Sequence, residues 1–434
     1  MDAPGVFVIL YPGMTDLSTD PYKGVRDFYP TDWARMQAMF TRMRATLAQW
    51  GYEEYAASPL ERAELYEAKT SEEIVSEQTY TFTDRGDRRV TLRPEMTPTL
   101  ARMIAGKRRE MPLPARWFSI PNVFRYERPQ KGRLREHYQL NVDLVGAGSA
   151  EADLEVITVA TDLLKSFGAK ESDFVVRVNS RALLTAACTA AELNAEASRA
   201  YLHLLDKKNK MPAEEFAAAQ AAITAKDPLA LIEDAGTSPD VAREKKALLD
   251  TIEALARRGV GNAVFDPTLT RGFDYYTGIV FEIFDTNPEN PRALFGGGRF
   301  DRLVALFGGD PIPAVGFGMG DVTLADFLLT HGLTVADTDG RPELYLGTPS
   351  PEDIPGAQAF AATLRAQGSR VFVNLTEKNL GDQIKDAVKR GIPLFLAYGA
   401  NEVASQTVRM KVLATGEEVG LPVSELPLRL RTGS

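Results

Sequence analysis

From His137 to Asp143 every odd position is polar, and from Tyr138 to Leu144 every even position is apolar. Successive side chains of a β-strand point to opposite faces. HYQLNVDLVG therefore reads as a strand with Tyr138, Leu140, Val142 and Leu144 on a packed face and His137, Gln139, Asn141 and Asp143 on a polar one. Just upstream, WFSIPNVFRYE is equally strand-like and puts Arg125 and Glu127 on one face, opposite Phe124 and Tyr126. As an antiparallel pair the two are joined by RPQKGRLRE, a strongly basic loop in a chain whose formal net charge is −9. One wet face is the ordinary state of an antiparallel sheet. The basic loop, together with the polar clusters RGFDYYTGIVFE at 271–282 and FGGGRFD at 295–301, argues instead for a working face.

At 434 residues the chain is too long for one compact core, so two to four domains are expected. Its 50 basic against 59 acidic residues argue against a surface that coats nucleic acid generally and leave polyanions to local basic patches. The stretch after Arg341 is nearly neutral, so the acidic excess lies before it. The one cysteine, Cys188, excludes an intrachain disulfide and a thiolate-rich metal site and points to a reducing compartment, the cytoplasm. Within LLTAACTAAEL it reads as a small buried helical residue. Only His137, His203 and His331 are histidines; their scatter excludes an HExxH zinc site, and no metal is expected from His/Cys clusters. Residues 1–20 read as an N-terminal extension. Its GVFVILYPGM is too short to span a bilayer and lacks the basic flank of a secretory signal, so no membrane association is expected.

A helix is predicted over 31–50, where Trp33, Met36, Phe40, Met43, Leu47 and Trp50 recur at spacings of three and four, with Thr31 as N-cap and Gly51 as stop. TYTFTDRGDRRVTLRP reads as a hairpin turning near Arg-Gly-Asp, and EMTPTLARMIAG as the start of a helix. From Val176 to Arg258 the texture is Ala-rich and helix-prone, a helical insertion (176–258) that splits a β-rich domain into 21–175 and 259–329. A polar linker spans 330–341, and strand–helix alternation from ELYLGT makes 342–434 a small α/β domain. The fold class is α+β, an antiparallel sheet flanked by helices.

There is no GxxxxGKS or GxxxxGKT phosphate loop, and GFGMG at 316–320 lacks the third-glycine spacing of a dinucleotide fingerprint. Taken alone it signals tight strand-to-helix packing. Three histidines build no convincing Ser-His-Asp or Cys-His set. What remains is chemistry run by charge and positioning, with arginines placed to take up negative charge developing on phosphate. YKGVRDFYP, TLRPEMT, FRYERPQKGRLREHYQ, RGFDYYTGIVFE and FGGGRFDRL, in this order and at these separations, resemble the histidyl-tRNA synthetase family of class II aminoacyl-tRNA synthetases. The resemblance runs from about Tyr22 to the C-terminus.

That resemblance implies a class II catalytic sheet, a homodimer, an insertion near the tRNA acceptor stem and a C-terminal anticodon-binding α/β domain. It implies attack of the carboxylate of L-histidine on the α-phosphate of ATP, brought with Mg2+, and transfer from the adenylate to histidine tRNA. By motif position Arg125 and Arg271 are the catalytic pair at the α-phosphate. Glu95, Thr97 and Gln139 hold the amino group, Asp143 and Tyr276 face the imidazole, and Tyr275 lines the pocket. Glu127 and His137 meet the adenine, the His137 ring by stacking. Arg133 and Arg299 belong to the ATP site, and Arg128, Gln130 and Lys131 to the tRNA acceptor end. One position departs from the pattern: Val322 and Thr323 stand where the family has Glu-Arg, with Arg299 and Arg116 as candidate replacements for the missing arginine. That departure favours an alternative, a histidine-sensing regulatory subunit of ATP phosphoribosyltransferase without catalysis. The retained Arg125 and Arg271 and the additional C-terminal domain favour the enzyme.

Overall fold

The computed structural model describes residues 18–67, 78–127, 132–208, 211–234, 238–271, 275–335 and 340–432. The chain forms two compact units, 1–336 and 337–434. In the first, a nine-stranded sheet runs in the order Glu53–Glu54, Ala115–Ser119, Glu136–Val145, Ala314–Gly320, Ala293–Arg299, Ile279–Asp285, Phe174–Ser180, Ala263–Phe265, with Asn122–Phe124 also paired to Glu136–Val145. The interior strands are antiparallel neighbours. The outermost pair at each edge is parallel.

The alternation in 137–144 sets which way this sheet faces. Leu140, Val142 and Leu144 are all at most 1% exposed and join a core with Met36, Phe40, Met43 and Leu47 of helix Pro30–Gln49 and with Val156, Ile157 and Leu163 of helix Ala150–Ser166. Each such side chain contributes about 1.5–3 kcal/mol by leaving water. A one-residue slip would exchange that face for the polar one. The upstream run is two strands rather than one, broken at Ile120 and Pro121, because proline has no N–H to give a ladder. The Pro121 carbonyl still accepts from the Gln139 N–H at 2.9 Å.

The first helix starts one residue earlier than its apolar periodicity suggests. Pro30 occupies its first turn and Tyr29 its N-cap, so Thr31 is not the cap; proline's fixed φ suits the first helical position. Gly51 ends it at φ +74, while the Tyr52 N–H bonds the Leu47 carbonyl at 3.0 Å. The Arg-Gly-Asp hairpin forms between Tyr80–Thr83 and Arg89–Leu92, and the Asp84 carboxylate accepts the N–H groups of Gly86 and Arg88 across its turn. Helix Thr97–Lys107 follows.

The Ala-rich stretch folds as helices Arg181–Ala190, Ala195–Lys207, Ala213–Ile223, Pro228–Glu233 and Pro239–Arg257. The boundary drawn at Val176 falls inside a sheet strand, since the β-branched run FVVRVNS pairs residue for residue with Ile279–Asp285. Cys188 is buried in the first of these helices, and burial pushes its thiol up to about 11.

The second unit has a five-stranded sheet in the order Val371–Val373, Leu344–Gly347, Leu394–Ala397, Thr407–Val412, Glu418–Pro422. Its first three strands are parallel and the last two antiparallel. Helices Ile354–Ala366 and Leu380–Lys389 connect the parallel strands, as the strand–helix alternation predicts. Among the described residues no helix is long and apolar enough to cross a membrane.

Candidate active site

Sheet register builds a floor without side chains on the polar face. Gln139, Asn141 and Asp143 pair across to Gly320, Gly318 and Gly316. Gly318 and Gly316 pair in turn with Gly296 and Gly298 of the next strand. A Cβ on Gly316 would land on the Asp143 carboxylate and one on Gly296 on the Arg271 guanidinium. On Gly318 it would come within 2.7 Å of Gln139 Nε2, and on Gly298 within 2.8 Å of the Tyr276 ring. The period-two glycines of GFGMG and FGGG thus let four polar or aromatic side chains lie flat over the sheet. Beyond GFGMG, Asp321 opens helix Asp321–Thr330, accepts the Tyr138 N–H at 2.9 Å and pairs with Arg26 at 2.7 Å.

Above this floor is a cavity of about 290 Å³, large enough for a small ligand. It gathers Arg125, Arg271, Glu95, Thr97, Gln139, Asp143, Tyr275, Tyr276, Glu127, Arg133 and His137. Asn141, Glu282, Val322 and Thr323, to which motif position assigned no substrate, line it too. The Arg125 Nε donates to the Pro94 carbonyl at 2.8 Å, which ties the first arginine to the loop carrying Glu95. That loop is bolted down by buried Arg93, whose guanidinium donates to the carbonyls of Ala57 at 2.8 Å and Asn122 at 2.9 Å. Tyr275 donates its hydroxyl to Glu95 at 3.1 Å. Arg271 lies over Gly296 on the same cavity face, pairs with Glu282 at 3.1 Å and lies 5.7 Å from the Tyr276 ring. Its Nε is buried and has no hydrogen-bond partner.

Electrostatics divide the cavity into three regions. Arg125, Arg133 and Arg271 are the arginines lining it among the described residues, with Arg133 held by Glu127 at 2.9 Å. At one end, burial and then the Arg125 charge push the His137 imidazole down to about 3, so the ring is neutral near pH 7 and fit to stack on a heteroaromatic ring. At the other end, burial pushes Asp143 up to about 8, and no hydrogen bond from another described residue reaches it. Between them the Gln139 amide donates to Asn141 at 2.7 Å, and Asn141 donates back to the Gln139 carbonyl at 3.1 Å, which fixes both amides.

One assigned ligand is corrected. Arg299 is outside the cavity: its guanidinium pairs with Asp153 at 2.8 Å and Asp301 at 3.1 Å and donates to the carbonyls of Ala147 and Ser149. Strand parity explains this, because Gly296 and Gly298 face the cavity and the odd residue beside them faces helix Ala150–Ser166. Arg116 is likewise engaged, with Glu155 at 2.7 Å. Neither replaces the motif arginine, and Thr323 instead donates to the Leu294 carbonyl at 2.6 Å. Arg299→Ala is expected to destabilise the protein by about 3–5 kcal/mol, since it strands a buried Asp153. It should leave the KM for ATP within twofold of the parent, checked by denaturant unfolding and by kinetics below the unfolding range. Arg128, Gln130 and Lys131 lie outside the described residues.

The sequence model of the histidyl-tRNA synthetase family matches residues 24–322, and that of an anticodon binding domain matches 347–432. A histidine–tRNA ligase of Leptospira biflexa is 40% identical over 422 residues, covering 94% of this chain and 96% of its own. One from Halobacterium salinarum is 36% identical over 424 residues, covering 94% and 97%. In fold, the chain is similar to the crystal structure of apo histidyl-tRNA synthetase from S. aureus, with a TM-score of 0.74, 23% identity and coverage of 96% and 100%. A cavity of arginines and carboxylates over a glycine floor therefore sits within a pattern matched nearly end to end, and the chain belongs to the histidyl-tRNA synthetase family.

Proposed function

We infer that this chain is a histidine–tRNA ligase, which activates L-histidine with ATP and transfers it to its cognate tRNA. The carboxylate oxygen of histidine attacks the α-phosphorus, the bond to the β-phosphate oxygen breaks, and pyrophosphate leaves. A hydroxyl of the terminal tRNA ribose then attacks the histidyl carbonyl, and AMP departs. No covalent enzyme intermediate is required.

In this reading Arg125 and Arg271 grip the α-phosphate from two sides and take up the charge that builds on it in the transition state. Glu95, Thr97 and Gln139 receive the ammonium group, while Asp143 and Tyr276 meet the imidazole edge beside Tyr275. His137 stacks on adenine, Glu127 meets its amino group, and Arg133 reaches the outer phosphates. Glu127 and Glu282 both line the cavity, each already ion-paired to an arginine. A Mg2+ ion that keeps water and phosphate oxygens as most of its ligands needs only one or two carboxylates, so Glu282 fits and would hold it while Glu127 serves the adenine. Bound with ATP, the ion neutralises phosphate charge. The protein works as a homodimer in the cytoplasm, and residues 342–434 bind the anticodon.

The observation that carries the reading is that Arg125 and Arg271, 146 positions apart in sequence, line the same cavity as Glu95, Gln139 and Asp143. The regulatory-subunit alternative is less supported, since the match to an anticodon binding domain spans 347–432. Histidine-dependent exchange of pyrophosphate into ATP is the test, with the other amino acids as controls. Exchange with histidine alone is expected; none with any amino acid, alongside intact histidine binding, would give the regulatory reading the place of this one.

A further inference from the structure

Two buried hydroxyls lie near Asp143 without a well-formed hydrogen bond. The Tyr55 and Ser119 oxygens are both buried; they interact weakly with one another, short of a well-formed hydrogen bond, and no bond from either reaches Asp143. Native interiors rarely leave a buried donor so without a functional reason. Register brings both to the same corner. Trp117 lies opposite Asp143 and Ser119 opposite Asn141, so Ser119 and Asp143 share the cavity face of the sheet as diagonal neighbours. Glu53 and Glu54 pair with Trp117 and Phe118, and the Tyr55 N–H continues to the Phe118 carbonyl at 2.8 Å. The Tyr55 ring is 5.5 Å from that of Trp117. Burial first and the charge of Asp143 second push the Tyr55 phenol up, so hydroxyl and carboxylate feel one another. Neither Tyr55 nor Ser119 lines the cavity, and Asp143 does. Whatever the two hydroxyls do for a ligand passes through that carboxylate.

An Asp143 carboxyl with no donor stays protonated and free to turn, and such a group selects poorly between ring edges. Two donors behind it change both properties: they stabilise the ionised form and fix which oxygen points outward. We propose that Tyr55 and Ser119 are positioning residues for histidine selection, their hydroxyls turning onto the inner oxygen of Asp143 when histidine binds, so that the outer oxygen receives the imidazole N–H. The proposal rests on the ligase reading above.

The test uses the full chain carrying Tyr55→Phe, Ser119→Ala or both. Pyrophosphate exchange is measured with histidine and with thienylalanine, an isosteric side chain that has no ring N–H, and thermal denaturation is followed alongside. Tyr55→Phe removes one oxygen and keeps the ring. Its KM for histidine is expected to rise roughly tenfold, the loss of one hydrogen bond to a charged group. Preference for histidine over thienylalanine should fall by a similar factor, while the KM for ATP stays within twofold. The Tm should change little, because in the free protein the deleted hydroxyl makes only a weak contact with Ser119. A merely structural tyrosine would do the reverse, lowering Tm and sparing both KM and preference. If the unaltered chain exchanges and Tyr55→Phe matches it in histidine KM and in preference, the proposal alone falls. No exchange by the unaltered chain sinks the ligase reading, and this proposal with it.

Discussion

Arg271→Gln is expected to lower kcat for histidine-dependent pyrophosphate exchange by about 10²–10³, the loss of one preorganised charge at the reacting phosphate. Burial works against the Arg271 charge, but the Tyr276 phenol and the Glu282 carboxylate beside it more than restore it. The guanidinium is therefore a fixed cation in a dry wall, and its unpartnered buried Nε is a donor waiting for an acceptor. Glutamine fills much of the same space and can still meet Glu282, so folding should survive, with Tm within a few degrees of the parent. If the interaction strengthens as charge builds, kcat falls more than the KM for ATP rises. Arg271→Lys should recover only a small part, since an ammonium cannot offer the planar fork that bridges Glu282 and a phosphate oxygen. Gly296→Ala should lose exchange too, but with a fall in Tm, because its Cβ would land on the Phe281 carbonyl of the neighbouring strand as well as on the guanidinium. Exchange by Arg271→Gln within threefold of the parent would remove this residue from the chemistry.

The strand Glu136–Val145 was legible because period two admits only one assignment of faces, and every polar residue on its odd positions from His137 to Asp143 reaches the cavity. The alternation of strands and helices in 342–434 was legible for a similar reason, since its elements are short and several, such as Leu394–Ala397 between GIP and YG, are set off by glycine or proline. Arg125 and Arg271 came instead from motif resemblance, since no local pattern says that residues this far apart share a wall. The glycine floor stayed hidden. A lone GFGMG is consistent with close packing anywhere, and it becomes a floor only when register sets Gly316 and Gly318 against Gly298 and Gly296. Arg299 was misplaced although the same period-two rule, run from Gly298, turns it to the other face. Its neighbour Asp153, far off in sequence, is what makes that burial tolerable. The cap at Thr31 failed because a proline one residue earlier already supplies a helical φ.

Asp143→Asn is expected to cut kcat/KM for histidine by about 10³–10⁴, in line with sites that must hydrogen-bond a polar side chain, while making the free protein more stable at pH 8. The second half follows from linkage. In the unfolded chain Asp143 titrates near 3.9; in the native state burial pushes it up to about 8. Below about pH 4 both states hold the proton, and the residue is neutral in its effect. Between pH 4 and 8 the unfolded chain has released it and the native state has not. The native state then binds more protons, so stability falls as pH rises. Above 8 both are ionised and the slope ends. At about 1.4 kcal/mol per pH unit the accumulated penalty is on the order of 5 kcal/mol by pH 8, and an asparagine, which never ionises, escapes it. The Tm difference between Asp143→Asn and the parent should therefore be near zero at pH 4 and grow to several degrees at pH 8. Saturating histidine should shrink that gap by stabilising the parent and not the variant, because its ring N–H gives the buried carboxylate a donor that no described residue of the free protein supplies. Equal Tm differences at both pH values would mean that Asp143 is already ionised in the free protein, and with it would go the view that the substrate completes this corner of the site.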